Sequence, residues 1–171
     1  MKRRAFSLVE LLLALALSAM LLAAVAVAMD ASFTSSDQND RIADTTQTAR
    51  AVLGRIAHDI RTANDLQPTA TTISIHPPQP NAYNLALIQY AYANGALTES
   101  QTDNNGVVTT TTLLDNTGDV KITGFAVTFT MGLDSNLQPC TRSVTAHLTV
   151  TDGNQQFGVT ASASPRRNQT Y

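Results

Sequence analysis

The sequence lacks tryptophan and has little charge and few aromatic residues. Of its 171 residues, 14% are charged and 5% are aromatic, and the net charge is −2. Such a chain has no basic footprint for phosphates, so we expect no nucleic-acid partner. Threonine, serine, asparagine and glutamine take the place of charged side chains. That composition is typical of β-sheet that faces an extracytoplasmic solvent.

Cysteine is nearly absent, and the motifs of common catalytic sites are missing. The single cysteine, Cys140, excludes an intrachain disulfide and a thiolate zinc site, and we expect it to be a small buried side chain. His58, His76 and His147 share no ligand spacing, and we expect them at the surface. The sequence contains no nucleophile elbow, phosphate loop or metalloprotease helix. It therefore predicts neither an enzyme nor a bound cofactor.

Three short segments rich in aspartate and asparagine are similar in composition to calcium loops. They lie at residues 103–105, 115–119 and 134–136. Oxygen ligands at alternate positions suit a hard cation, but none of the segments has the full ligand spacing. Aspartate and asparagine with glycine are also the residues that turns require. We therefore interpret the three segments as turns, and we predict no metal site.

Proline and glycine are scarce at the start of the chain, where a long apolar run lies. The first proline is Pro68, and Gly54 is the only glycine before it. Three basic residues at positions 2–4 precede an apolar run from Phe6 to Met29, which is 24 residues and can span a bilayer as a helix. The basic residues predict a cytoplasmic N-terminus and a domain outside the membrane.

Glu10 is the one acid within this apolar run. A carboxylate near the centre of a bilayer costs about 2.5–3.5 kcal/mol on insertion scales, and less near the end of a span. One interpretation is a secretory signal peptide cleaved after Ala26-Val27-Ala28, although its apolar core is usually about 7–15 residues long. Another is a plain signal anchor. Neither interpretation gives the acid a role.

The spacing of apolar residues changes along the chain. Between Ile42 and Ala63 they recur every three or four residues, which indicates an amphipathic helix. We predict one long helix from about Phe6 to about Asn64, weakest around Ser32–Asp40. From Thr71 the period is two, with turn residues between strands. The predicted strands are 71–76, 85–92, 107–114, 120–131, 142–151 and 156–162.

These elements predict an α+β fold in which a long N-terminal helix packs on an antiparallel β-sheet. In the strand from Arg142 to Thr151, the side chains of Val144, Ala146, Leu148 and Val150 should face the core. The predicted divisions are a basic leader (1–5), a transmembrane helix (6–29), an amphipathic half-helix (30–66) and a C-terminal antiparallel β-sheet domain (67–171).

The segment "FSLVELLLALAL" resembles the N-terminal signal of type IV pilins and type II secretion pseudopilins. In that family a short basic leader is cut before a phenylalanine, and glutamate is the fifth residue of the mature chain. Three later segments resemble J-type minor pseudopilins and W-type minor pilins: "ARAVLGRIAHDIRTAN", "IQYAYANGALTE" and "VKITGFAVTFT", followed by the ending "FGVTASASPRRN". The family shares the long helix laid on an antiparallel sheet.

The resemblance implies a cleavage between Ala5 and Phe6, methylation of the Phe6 amine, and an assembly salt bridge made by Glu10. The family usually has glycine before the cut, and Ala5 is the nearest substitute in size. The cut removes the three basic residues, which changes the side-chain charge from −2 to −5. The implied partners are a prepilin peptidase, the inner membrane, and other subunits that contact the chain through parallel N-terminal helices.

The resulting hypothesis is a minor pseudopilin or minor pilin that initiates or caps a periplasmic fibre. It would be a single-pass protein of the bacterial inner membrane, with its N-terminus in the cytoplasm and its C-terminal domain in the periplasm. The alternative is a periplasmic ligand-binding β domain carried by a signal anchor or signal peptide.

Overall fold

The computed structural model describes residues 7–117, 121–134, 137–153 and 155–166. Two compact units, Met1–Ile42 and Ala43–Tyr171, are described separately below. A helix, α1, comes first and strands follow it. The bounds are α1 Leu8–Thr62, β1 Asp65–Pro68, β2 Thr72–His76, β3 Leu85–Ala93, β4 Ala96–Asp103, β5 Val108–Leu114, β6 Lys121–Leu133, β7 Pro139–Asp152 and β8 Gln155–Ala163.

The first unit consists of the N-terminal part of α1. The helix continues through Ser32–Asp40, where the sequence predicts its weakest point. Two local contacts support this stretch. The Thr34 hydroxyl donates to the carbonyl of Asp30 at 3.0 Å, and Arg41 Nε lies 3.4 Å from Asp37 Oδ2, an i,i+4 ion pair. The polar residues of this stretch thus bond within the helix instead of ending it.

The second unit begins with the remaining part of α1, which packs on the strands. Its buried side chains recur every three or four residues, which confirms the predicted apolar stripe. They are Thr45, Ala49, Leu53, Ile56, Ala57 and Ile60. The side chains of β7 complete the same core. Val144, Ala146, Leu148 and Val150 are all buried, as predicted, while His147 between them is exposed.

The strands form antiparallel sheets, which confirms the predicted α+β class. The order is β1-β2-β3-β4-β5 in a five-stranded sheet and β6-β7-β8 in a three-stranded sheet. The sequence predicted a single sheet. The five-stranded and the three-stranded sheet are joined by isolated hydrogen bonds and not by a continuous ladder of strand pairing. Val127 N–H donates to Ala70 O at 2.9 Å, and Thr141 Oγ1 donates to Leu66 O at 3.2 Å.

The period-two pattern of the sequence did not predict two strands, β1 and β4. Strand β1 is only four residues long and contains Pro68, which obscures its pattern. In β4 the core-facing positions are Leu97 and Glu99, so an acid stands where alternation calls for an apolar residue. The predicted turn Asn94-Gly95 does form the β3–β4 hairpin, with φ of 53° and 75° at the two residues.

Candidate assembly site

An unpartnered apolar helix surface dominates the first unit. We call residues 8–29 the assembly segment. Every side chain in it is exposed, although nearly all are apolar. Within the described part of the chain, α1 is the one helix long and apolar enough to cross a membrane. A soluble surface does not carry a contiguous apolar patch of this size, so the segment fits membrane anchoring and needs lipid or other helices around it.

Glu10 lies in the first turn of α1 and completes a capping box with Ser7. The Ser7 hydroxyl accepts a hydrogen bond from Glu10 N–H at 3.2 Å, and Glu10 Oε2 accepts one from Ser7 N–H at 3.4 Å. This reciprocal pair satisfies two of the free N–H groups at the start of a helix. The helix dipole also favours a negative charge there. The acid therefore has a local role that the sequence analysis missed, although the spacing Ser-x-x-Glu could have revealed it.

The capping box leaves the charge of Glu10 available to a partner. The side chain is exposed, and the long contact to Ser7 uses one of its two oxygens. Ala5 and Phe6, the predicted cleavage and methylation positions, lie outside the described residues. An amine at Phe6 would be four residues before Glu10 in the sequence. The capping bond and the charge of Glu10 can be tested separately, because a Glu10→Gln substitution keeps the capping bond and removes the charge.

The assembly segment contains several alanines, whose small side chains make that part of the helix narrow. Alanine at a helix–helix contact lets two backbones approach closely within a membrane. The one polar side chain within this stretch of alanines, Ser18, donates to the carbonyl of Ala14 at 2.8 Å and so needs no outside acceptor. The alanines concerned are Ala14, Ala16, Ala19, Ala23 and Ala24.

The histidines and the cysteine considered in the sequence analysis lie outside the assembly segment. His58 and His147 are exposed, and His76 Nδ1 lies 3.7 Å from Asp65 Oδ2. Cys140 is partly exposed, where we expected burial. Within residues 7–117 and the later described ranges, no group of three His, Cys, Asp or Glu side chains is placed to hold a metal ion.

The aspartate-rich segment at 103–105 forms a turn. Asp103 Oδ1 accepts hydrogen bonds from the N–H groups of Asn105 and Val107, both at 2.8 Å. The bond from Val107, followed by those from Asn105, holds the pKa of the Asp103 carboxyl below its usual value. The oxygen that a cation would need thus accepts the hydrogen bonds of its own turn.

A polar cluster between α1 and the five-stranded sheet has no counterpart in the sequence analysis. Arg55 Nη2 lies 2.7 Å from Oε1 of Glu99, a residue only 2% exposed. The hydroxyl of the buried Tyr90 donates to Asp59 Oδ2 at 2.6 Å. Burial, and then this hydrogen bond, raises the pKa of the Tyr90 phenol. Arg55 and Asp59 are i,i+4 neighbours on a helix, but no local pattern relates them to residues on β3 and β4.

Comparison with known protein families gives a match at the N-terminus of the chain. Residues 1–26 match the family model described as "Prokaryotic N-terminal methylation motif". No curated protein and no solved structure matches the chain. The match includes Ala5, Phe6 and Glu10, so the predicted processing signal is confirmed. The individual roles of the three residues stay predictions.

Proposed function

We propose that this chain, which carries the N-terminal signal of type IV pilins and pseudopilins, is a minor pilin or minor pseudopilin. It initiates or caps a periplasmic fibre in type II secretion or in a type IV pilus. The match of residues 1–26 to the N-terminal methylation motif supports a structural subunit that a prepilin peptidase processes. The minor role is supported by the resemblance of α1 and of the hairpin around Asn94-Gly95 to J-type and W-type subunits.

The observation that carries the proposal is the position of Glu10. It is the one acid in an apolar helix segment whose side chains are all exposed, and it lies at the head of that segment. Cleavage before Phe6 would create an amine four residues before Glu10 in the sequence. In a medium of low dielectric an unpaired charge is strongly disfavoured, so the amine of one subunit and the carboxylate of another pair and set their register.

The assembly segment has two roles in this proposal, as a membrane anchor and as part of the fibre core. Before assembly it holds the protein in the inner membrane, with the basic leader in the cytoplasm and the second unit in the periplasm. After extraction, the same apolar surface packs against the parallel helices of other subunits and becomes part of the fibre core. Removal of the basic leader leaves one carboxylate and one amine as the charges at the head of that core.

Two substitutions separate the charge of Glu10 from its capping bond. Glu10→Gln keeps the capping box and removes the charge, whereas Ser7→Ala keeps the charge and removes the hydroxyl that caps. Each variant replaces the native gene, and its incorporation is measured as cysteine cross-linking to neighbouring subunits in isolated fibres. Membrane insertion is quantified in parallel.

If the charge guides assembly, Glu10→Gln inserts normally but its incorporation falls by about tenfold or more, a loss equivalent to about 1.4 kcal/mol. Ser7→Ala inserts and assembles close to the native level. Normal incorporation of Glu10→Gln would contradict the proposed ion pair. Loss in Ser7→Ala together with normal incorporation of Glu10→Gln would assign Glu10 to the helix cap, and a plain signal anchor would then explain the segment equally well.

A further inference from the structure

Three side chains of the polar cluster, Arg55, Asp59 and Glu99, line a cleft of the second unit. Its volume is about 330 Å³, and its walls come from α1, from β3 and β4, and from the loop before β3. The polar side chains in it are Arg55, Asp59, Tyr83, Glu99 and Gln101. Nothing in the proposed assembly chemistry uses this cleft, which contains no residue of the assembly segment.

Glu99 has an acceptor that the protein does not use. Both of its hydrogen-bond donors reach the same oxygen. Arg55 Nη2 and Gln101 Nε2 each donate to Oε1. The other oxygen, Oε2, is buried and has no partner among the described residues. A buried carboxylate oxygen without a donor is rare and costly, because it has lost its water and gained no replacement.

The charges in the cleft do not balance. Asp59 and Glu99 provide two carboxylates, and Arg55 is the one cation among the lining side chains. The guanidinium lies against Glu99, and Asp59 has no ion pair among the residues that the structure describes. Asp59 accepts the hydrogen bond of Tyr90 instead. An incoming group that donates hydrogen bonds and carries positive charge would satisfy Oε2 and balance the second carboxylate.

Tyr83 places an aromatic ring at the opening of the cleft. The residue is 82% exposed, yet the loop that carries it is well bonded. Asn81 accepts from Leu85 N–H at 2.9 Å and donates to Leu85 O at 2.7 Å. Asn104 donates through its side chain to Asn84 Oδ1 at 2.8 Å and through its backbone to Asn84 O at 2.9 Å. An ordered loop that exposes its tyrosine presents a ring face against which the aliphatic stem of a long cationic side chain can pack.

We propose that this cleft binds one lysine or arginine side chain of a partner protein. The cationic head reaches Glu99 Oε2 as the half-exposed side chain of Arg55 moves aside, and Tyr83 covers the aliphatic stem. The net charge of −2 of the chain also favours a basic partner surface. The inference rests on residues of the second unit and is independent of the assembly proposal.

Fluorine NMR on the full-length chain in mild detergent tests the cleft directly. The chain is labelled with fluorotyrosine, and the Tyr83 signal is assigned with the Tyr83→Phe variant. The probes are N-acetyl-lysine methylamide and N-acetyl-arginine methylamide. N-acetyl-glutamine methylamide is the neutral control, and putrescine represents a free amine. Glu99→Gln removes the acceptor charge, and Asp44→Asn removes one exposed carboxylate outside the cleft as the matched control.

We expect saturable shifts of the Tyr83 signal with the two cationic probes and none with the glutamine probe. Glu99→Gln should weaken binding by about tenfold or more, while Asp44→Asn should leave it unchanged. If Glu99→Gln does not fold, Tyr83→Leu at the exposed position gives a second test, read at Tyr90, and should weaken binding as well. Absence of saturation, or equal affinity in Glu99→Gln, would overturn the proposal. So would putrescine binding more tightly than the capped residues, which would indicate a free-amine site.

Discussion

The two parts of α1 predict opposite responses to the same substitution. Leu53 is 1% exposed and packs in the core of the second unit, whereas Leu12 in the assembly segment is 57% exposed. Leu53→Ala deletes buried apolar atoms and leaves a cavity, which costs about 2–5 kcal/mol. Leu12→Ala removes no contact from that core, so its effect on unfolding should be below about 0.5 kcal/mol.

Thermal unfolding of the full-length chain in mild detergent measures the difference. The near-ultraviolet circular dichroism of tyrosine reports the second unit, because Tyr83, Tyr90 and Tyr92 all lie in it. A domain of this size loses about 4 °C in Tm per kcal/mol, so Leu53→Ala should lower Tm by about 8–20 °C and Leu12→Ala by less than about 2 °C. Similar shifts for the two variants would refute the distinction between a core helix and an unpartnered one.

Three further predictions concern two glycines and one carboxylate. Gly95 has φ of +75°, and an added Cβ would meet the Asn116 side chain, so Gly95→Ala should cost about 1–2 kcal/mol or more in thermal unfolding. Gly54→Ala, with nothing within 4 Å, should instead stabilise by about 0.5–1 kcal/mol, and a loss there would contradict the exposed helix position. The Asp103 carboxyl, whose pKa the Val107 N–H lowers, should stay ionised below pH ~3.9 in a carbon NMR titration. The stabilising contribution of the ionised Asp103 carboxylate is present above that pH and is lost as pH falls through the lowered folded-state pKa. An unshifted Asp103 pKa would contradict this prediction, and so would a Val107→Pro variant in which the Asp103 pKa does not rise.

The sequence predicts the helix and most strands because their core positions are apolar. In α1 the stripe that includes Leu53 and Ile56 has helical spacing, and in β7 the inward residues alternate strictly. Strand β4 fails the same test because Glu99 occupies a core-facing position and pairs with Arg55, 44 residues away. A period-two pattern reveals apolar faces only, so a buried acid that is paired with a distant helix remains invisible.

The division into two sheets also could not be predicted. Turn residues and strand lengths are the same whether β5 and β6 pair or not. The separation depends on tertiary contacts such as the bond from Val127 N–H to Ala70 O. The assembly site was closer to prediction, since the apolar run and Glu10 are both visible in the sequence. The capping role of Ser7 was not predicted, although the Ser-x-x-Glu spacing of a capping box is present in the sequence.

The N-terminus of the protein taken from its native membrane tests the central claim most directly. Intact-mass and N-terminal peptide mass spectrometry identify the first residue of the mature chain. We predict a chain that begins at Phe6 and carries one additional methyl group on its amine. A chain that begins at Met29 would indicate an ordinary secreted domain, and one that begins at Met1 would indicate a plain anchor. Either result would remove the amine that Glu10 is proposed to pair with, and would contradict the assembly mechanism.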